Sequence, residues 1–129
     1  MPERTQTPKT IPARRVRLKR AYAPAATNDG TRILVDRLWP RGVRKSAAAI
    51  HRWIKEVAPS TALRKWFAHD PARWPEFRGR YAKELRHHRE ELAELRALAR
   101  KGRVTLVFAA HDERYNHAVV LRRALLGRW

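Results

Sequence analysis

The run Val104-Thr105-Leu106-Val107-Phe108-Ala109 is the cleanest buried-strand signal in the chain. A second short run, Arg32-Ile33-Leu34-Val35-Asp36, is continuously apolar at its centre, as expected of a strand covered on both faces. Some 70 residues of largely helical pattern separate the two. Two buried strands joined by such a connection should lie parallel, through a right-handed crossover. Upstream, Val16 and Leu18 alternate with Arg15, Arg17 and Lys19, the period of a half-buried edge strand. Asp29-Gly30 marks a turn before the second strand. The expected class is therefore α/β: a small sheet with parallel central strands and packed helices in one compact domain.

The helices can be read between the strands. Ile50, Trp53, Ile54 and Val57 fall at i, i+3, i+4 and i+7, which predicts a helix capped by Ser46 and stopped by Pro59. Ser60 should cap a short helix with Leu63, Trp66 and Phe67 on its apolar face. Asp70-Pro71 is an N-cap followed by proline. A long helix is predicted next, with the stripe Trp74, Phe77, Tyr81, Leu85, His88, Leu92, Leu95 and Ala99, and Gly102 as its C′ residue. Pro75 would break a helix begun at Pro71, so the regular part should start near Trp74. The last helix spans about 115–126. Residues 1–13, with Pro2, Pro8 and Pro12, read as a flexible tail, and 14–129 as the single domain.

Charge bears on partners. The 129 residues carry 30 Lys+Arg against 12 Asp+Glu, a net charge of +18, which points to an acidic partner. The excess is spread along the chain, with only the first 20 residues richer. Arg and Ala together make up a third of the sequence, which offers a compositional origin for much of it. There is no cysteine, which excludes disulfides, thiolate nucleophiles and Cys-ligated zinc. No apolar run reaches the ~18–20 residues of a membrane span, and no signal-peptide h-region opens the chain. A cytoplasmic protein without membrane contact is expected.

Chemistry concentrates at two strand ends. Asp36-Arg37-Leu38-Trp39-Pro40-Arg41-Gly42 follows the second strand, and Asp112, Asn116 and His117 follow the last. Open α/β sheets bind ligands outside the carboxyl ends of their strands. Arg37 and Arg41 offer forked donors for a phosphate or carboxylate. Asn116 and His117 would orient such an anion, and Asp112 would fix the Arg side chains. The bland alternative is that Asp36 or Asp112 only satisfies an Arg in an internal salt bridge. Trp39 is the one tryptophan placed to stack on a ligand; Trp53, Trp66 and Trp74 fall on apolar helix faces. His69 with Asp70, or His117, could serve as a general base, although Asp70 is better explained as a cap. GxGxxG and GxxxxGK[ST] are absent, as is any HExxH spacing, so no nucleotide cofactor or metal is expected.

Arg32 to Gly42 read as one string (RILVDRLWPRG), with Ala58-Pro59-Ser60, Leu63-Arg64, Trp66-Phe67, His69-Asp70-Pro71 and Asn116-His117-Ala118, resembles the YeaO-like branch of the family called domain of unknown function 488. The resemblance covers about residues 14–126 and implies a compact α/β domain with no established activity. More distant members carry a Cys-His-Arg triplet after the last strand. Here the same place reads Asn116-His117-Ala118, so a thiol mechanism does not transfer. Positions matching the branch are Arg37, Trp39, Arg41, Arg64, His69, Asp70, Asp112, Asn116 and His117. The expected partner is a phosphorylated or nucleotide-like small molecule; nucleic acid bound by the basic surface and a His-based hydrolase are the alternatives.

Overall fold

The computed structural model describes residues 11–129. Four parallel strands form one sheet: β1 (Val16–Arg20), β2 (Thr31–Leu34), β3 (Arg52–Trp53) and β4 (Val104–Phe108), in the order β1-β4-β2-β3. β4 is central and buried along its whole length, as its unbroken apolar run requires. It pairs with β1 from Val16 opposite Val104 to Arg20 opposite Phe108, and with β2 from Thr31 opposite Val104 to Leu34 opposite Val107. The expected parallel pairing of the two buried strands and the edge position of β1 are both found.

The helices are α1 (Lys45–Ala48), α2 (Thr61–Phe67), α3 (Trp74–Leu85), α4 (Arg89–Lys101) and α5 (His117–Leu125). None is long and apolar enough to cross a membrane. Ser60 Oγ accepts from Leu63 N–H and caps α2, and Asp70 accepts from Ala72 N–H at a 3-10 turn before α3, both as predicted. Pro75 sits within the first turn of α3, where its missing N–H costs little.

Two helix expectations are corrected. The helix predicted from Ser46 to Pro59 is only the four-residue α1, with Arg44 rather than Ser46 at its N-cap; the chain then becomes strand β3 and a 3-10 turn. The reason is tertiary. Ile50 and Trp53 pack in a small cluster with Leu34 and Val107, while Ile54 and Val57 enter the main core, so the four residues divide between two clusters. The helix predicted through residues 74–99 is broken at Arg86–His88 into α3 and α4, although its stripe continues across the break. Separate helices can turn Tyr81 and Leu85, then Leu92 and Leu95, into one core. Gly102 ends α4 as expected, but with extended backbone rather than a left-handed one.

The main core joins Ile33, Val35, Leu106 and Phe108 of the sheet region to the inner faces of α2–α5. Ile11, assigned by sequence to a tail, is buried in it; residues 1–10 lie outside the described part. A second set of buried groups is polar. Asp29 pairs with Arg32 at 2.7 Å and Lys19 at 3.0 Å, and Thr105 Oγ1 donates to Asp29 O. Phe67, Phe77 and Tyr81 form a stacked aromatic column, with ring centroids 4.3 and 5.7 Å apart. Its last ring meets His117 edge-on at 6.1 Å, linking the core to the ends of β2 and β4.

Candidate functional site

A cavity of about 430 Å³ opens beyond the carboxyl ends of β2 and β4. Arg37, Trp39, Arg41, Arg64, His69, Asn116 and His117 all line it. Seven positions scattered over 80 residues of sequence therefore converge on one crevice. Asp70 and Asp112 are not among its lining residues.

Asp36 forms the inner end. Its Oδ2 accepts Ala109 N–H at 2.9 Å, tying the end of β2 to the residue after β4. Its backbone carbonyl accepts Trp53 Nε1–H at 2.7 Å, adding β3 to the same point. His117 Nε2 lies 3.0 Å from Val35 O and 3.1 Å from Asp36 Oδ1. A carbonyl oxygen only accepts, so Nε2 carries a proton. The N–H is directed at Val35, which leaves Asp36 Oδ1 buried beside the imidazole without a hydrogen bond of its own.

The arginines differ in freedom. Arg37 is tethered: Nη2 donates to Ala58 O at 3.1 Å, and Nε and Nη2 each approach Pro59 O at 3.4 Å. It thus fixes the Ala58-Pro59 wall and has only part of its donor set left. Arg41 and Arg64 are exposed, and among the described residues neither guanidinium has a hydrogen-bond or ion-pair partner. The Arg41 loop is held instead by its backbone, whose carbonyl accepts from Tyr22 OH at 3.0 Å.

The remaining expected residues have local duties. Asn116 is buried; its Oδ1 accepts Val119 N–H and its Nδ2 donates to Asp112 O, so it caps α5. Asp112 was expected to fix arginine side chains. Its Oδ1 accepts the backbone N–H groups of Arg114 (2.8 Å) and Tyr115 (3.0 Å) instead, and these bonds hold its carboxyl below the usual range. Asp70 accepts from Ala72 N–H and lies 3.7 Å from Arg73 Nε, so it forms no dyad with His69. His69 follows Ala68 in left-handed backbone (φ 56° after 48°), with its ring 6.0 Å from Phe67. Two adjacent non-glycine residues in that region store strain, of order 1–3 kcal/mol each. Trp39, expected to be free for stacking, donates Nε1–H to Val43 O at 2.7 Å and meets Trp53 edge-on at 5.6 Å. Its ring packs against the smaller cluster while one part of it lines the crevice.

Sequence reasoning left Asp36 as an internal partner for an arginine, placed Phe77 only on an apolar helix stripe, weighed His111 only as a weak metal ligand beside Asp112 and His117, and did not single out Tyr22; all four line the cavity. The signal for Asp36 was its place at a strand end. Tyr22 and Phe77 are brought in by packing.

Comparison with known proteins agrees with this architecture. Residues 15–129 match the family DUF488-N3i, described as the inactive DUF488-N3 subclade. The uncharacterized protein Rv3073c of Mycobacterium tuberculosis is 46% identical over 114 residues, covering 88% of this chain and 96% of that protein. The uncharacterized protein YeaO of Escherichia coli K12 is 45% identical over 106 residues, covering 82% of this chain and 92% of its own length. No solved structure matches. With a family match spanning nearly the whole chain and relatives this similar, the protein belongs to the YeaO-like branch of the DUF488 family, within its inactive N3 subclade.

Proposed function

We propose that the crevice binds a small phosphorylated or nucleotide-like anion. The observation that carries this reading is the pair of guanidiniums, Arg41 and Arg64, without a partner among the described residues, on a cavity whose one lining acidic side chain, Asp36, already accepts Ala109 N–H and lies against His117. Forked donors with no internal acceptor suit a phosphate. Leu38, Phe67 and Phe77 supply apolar wall for an organic body, and the volume falls in the range of small-molecule sites. Arg37 holds the wall between them. Support for binding rather than turnover comes from the family description as inactive.

The test is thermal unfolding with inorganic phosphate and a series of nucleoside phosphates. A ligand that binds only the folded state raises the melting temperature with concentration. Arg41→Ala with Arg64→Ala should abolish that rise and leave the ligand-free melting temperature within a few degrees. If none of these anions shifts the wild type, the reading fails.

A hydrolase with His117 as general base has one observation in its favour, the Asp36 carboxylate beside its imidazole. In it Nδ1 would take the proton, since Nε2 donates to Val35 O. A turnover of nucleoside phosphates that disappears in His117→Gln while binding persists would replace the binding reading.

A further inference from the structure

A second concavity, of about 580 Å³, lies away from the strand ends, between α3, α5 and the last residues of the chain. Arg78, Lys83, Arg86, Arg123 and Arg128 line it, and no acidic side chain does. All five are exposed, and among the described residues none of these side chains has an ion-pair or hydrogen-bond partner. The opposite arrangement occurs nearby on the same helix, where Arg80 pairs with Glu76. The groove has room along its α3 wall, since a Cβ at Gly79 would meet nothing within 4 Å. At its end stands Trp129, about half exposed, with the Arg86 guanidinium 5.0 Å from its ring centroid.

We propose that this groove binds single-stranded nucleic acid, with the five cations on the phosphates and Trp129 stacking on a base. Four of the five cations are arginines, whose planar forks match phosphate oxygens. An acidic peptide would satisfy the charge but has no use for the indole; an unstacked base does. A duplex keeps its bases stacked and would leave Trp129 without a role. Five of the cations behind the +18 thus share one groove, separate from the crevice and independent of what the crevice binds.

The experiment is fluorescence anisotropy of a labelled single-stranded oligonucleotide against the full chain over a salt series. Five neutralised phosphates predict a log–log salt slope of about −3.5. The triple variant Arg78→Gln, Arg86→Gln, Arg123→Gln should make the slope shallower by about 2. A control with the same charge change outside both cavities, Arg17→Gln, Arg44→Gln, Arg114→Gln, should leave it near wild type. Trp129→Ala should weaken binding roughly tenfold, and Trp129→Phe should retain most of the affinity. Equal losses in the groove and control variants would overturn the proposal in favour of diffuse attraction. So would absence of binding at about 50 mM salt. A poly-glutamate of equal charge that competes as well as the oligonucleotide would overturn the nucleic-acid assignment. Melting curves of each variant establish that it is folded.

Discussion

Asp36 and His117 meet at 3.1 Å, where the end of β2 faces the first residue of α5, 81 positions later in sequence. The contact joins three elements, because Asp36 also holds Ala109 after β4 and His117 also donates to Val35 O. Removing Asp36 leaves the Ala109 N–H without its acceptor. Asp36→Ala should cost about 1–3 kcal/mol in urea unfolding. His117→Phe keeps an aromatic edge against Tyr81 and should cost less. A double-mutant cycle should return a coupling above about 0.5 kcal/mol, and simple additivity would show the two to be independent.

Gly30 and Gly42 separate two effects of a missing side chain. Both have positive φ, 68° and 78°. A Cβ at Gly30 would lie 2.2 Å from the Arg103 carbonyl oxygen, whereas one at Gly42 meets nothing within 4 Å. Gly42→Ala should therefore cost only the backbone strain, about 1–2 kcal/mol. Gly30→Ala adds a clash with backbone that cannot swing away, and should cost at least about 3 kcal/mol. Urea midpoints of the two variants give the comparison.

Asp29 sets an acid limit. Burial alone would raise its pKa, but the Ala26 N–H and the Lys19 and Arg32 charges outweigh it and lower the pKa to about 2. A carboxyl depressed in the folded state adds stability that is fully present above its unfolded pKa and is lost as pH falls through the folded one. The window is thus about pH 4 down to 2, and the contribution is on the order of 2 kcal/mol. The stability difference between wild type and Asp29→Asn should be constant near neutrality and shrink across that window. A difference that grows on acidification would show the linkage to have the other sign.

Glu84 anchors the wall that Arg37 grips. Its carboxylate accepts Ser60 N–H at 2.8 Å and Ser60 Oγ–H at 2.6 Å, from α3 to the start of α2. Glu84→Ala should lower stability by about 1–3 kcal/mol. Because Pro59 precedes that anchor and lines the crevice, the same change should also reduce the melting-temperature rise produced by an anion. Ser60→Ala loses the cap of α2 as well, about 1 kcal/mol more than the Glu84 contact it shares.

Much of this molecule was legible along the chain. The continuous apolar run of Val104–Phe108 needs no partner to announce a central strand, because only a position covered on both faces tolerates it. Ser60 and Asp70 announce themselves through local chemistry, a side chain meeting a backbone N–H two or three residues on. Those interactions are short-range, so the sequence alone determined them. The split of Ile50, Trp53, Ile54 and Val57 between two clusters was decided by tertiary structure. So was the break at Arg86–His88, since a periodic stripe states which residues are buried and not whether one rod or two can reach the core. The same limit applies to the site. Residue types and strand ends brought Arg37, Arg41, Asn116 and His117 together in expectation, and the fold does gather them. Which arginine is free was a matter of distant carbonyls: Ala58 and Pro59 occupy Arg37, while nothing among the described residues occupies Arg41 or Arg64. The +18 could be counted from the sequence, but only the packing of α3 against α5 puts five of those cations around one groove.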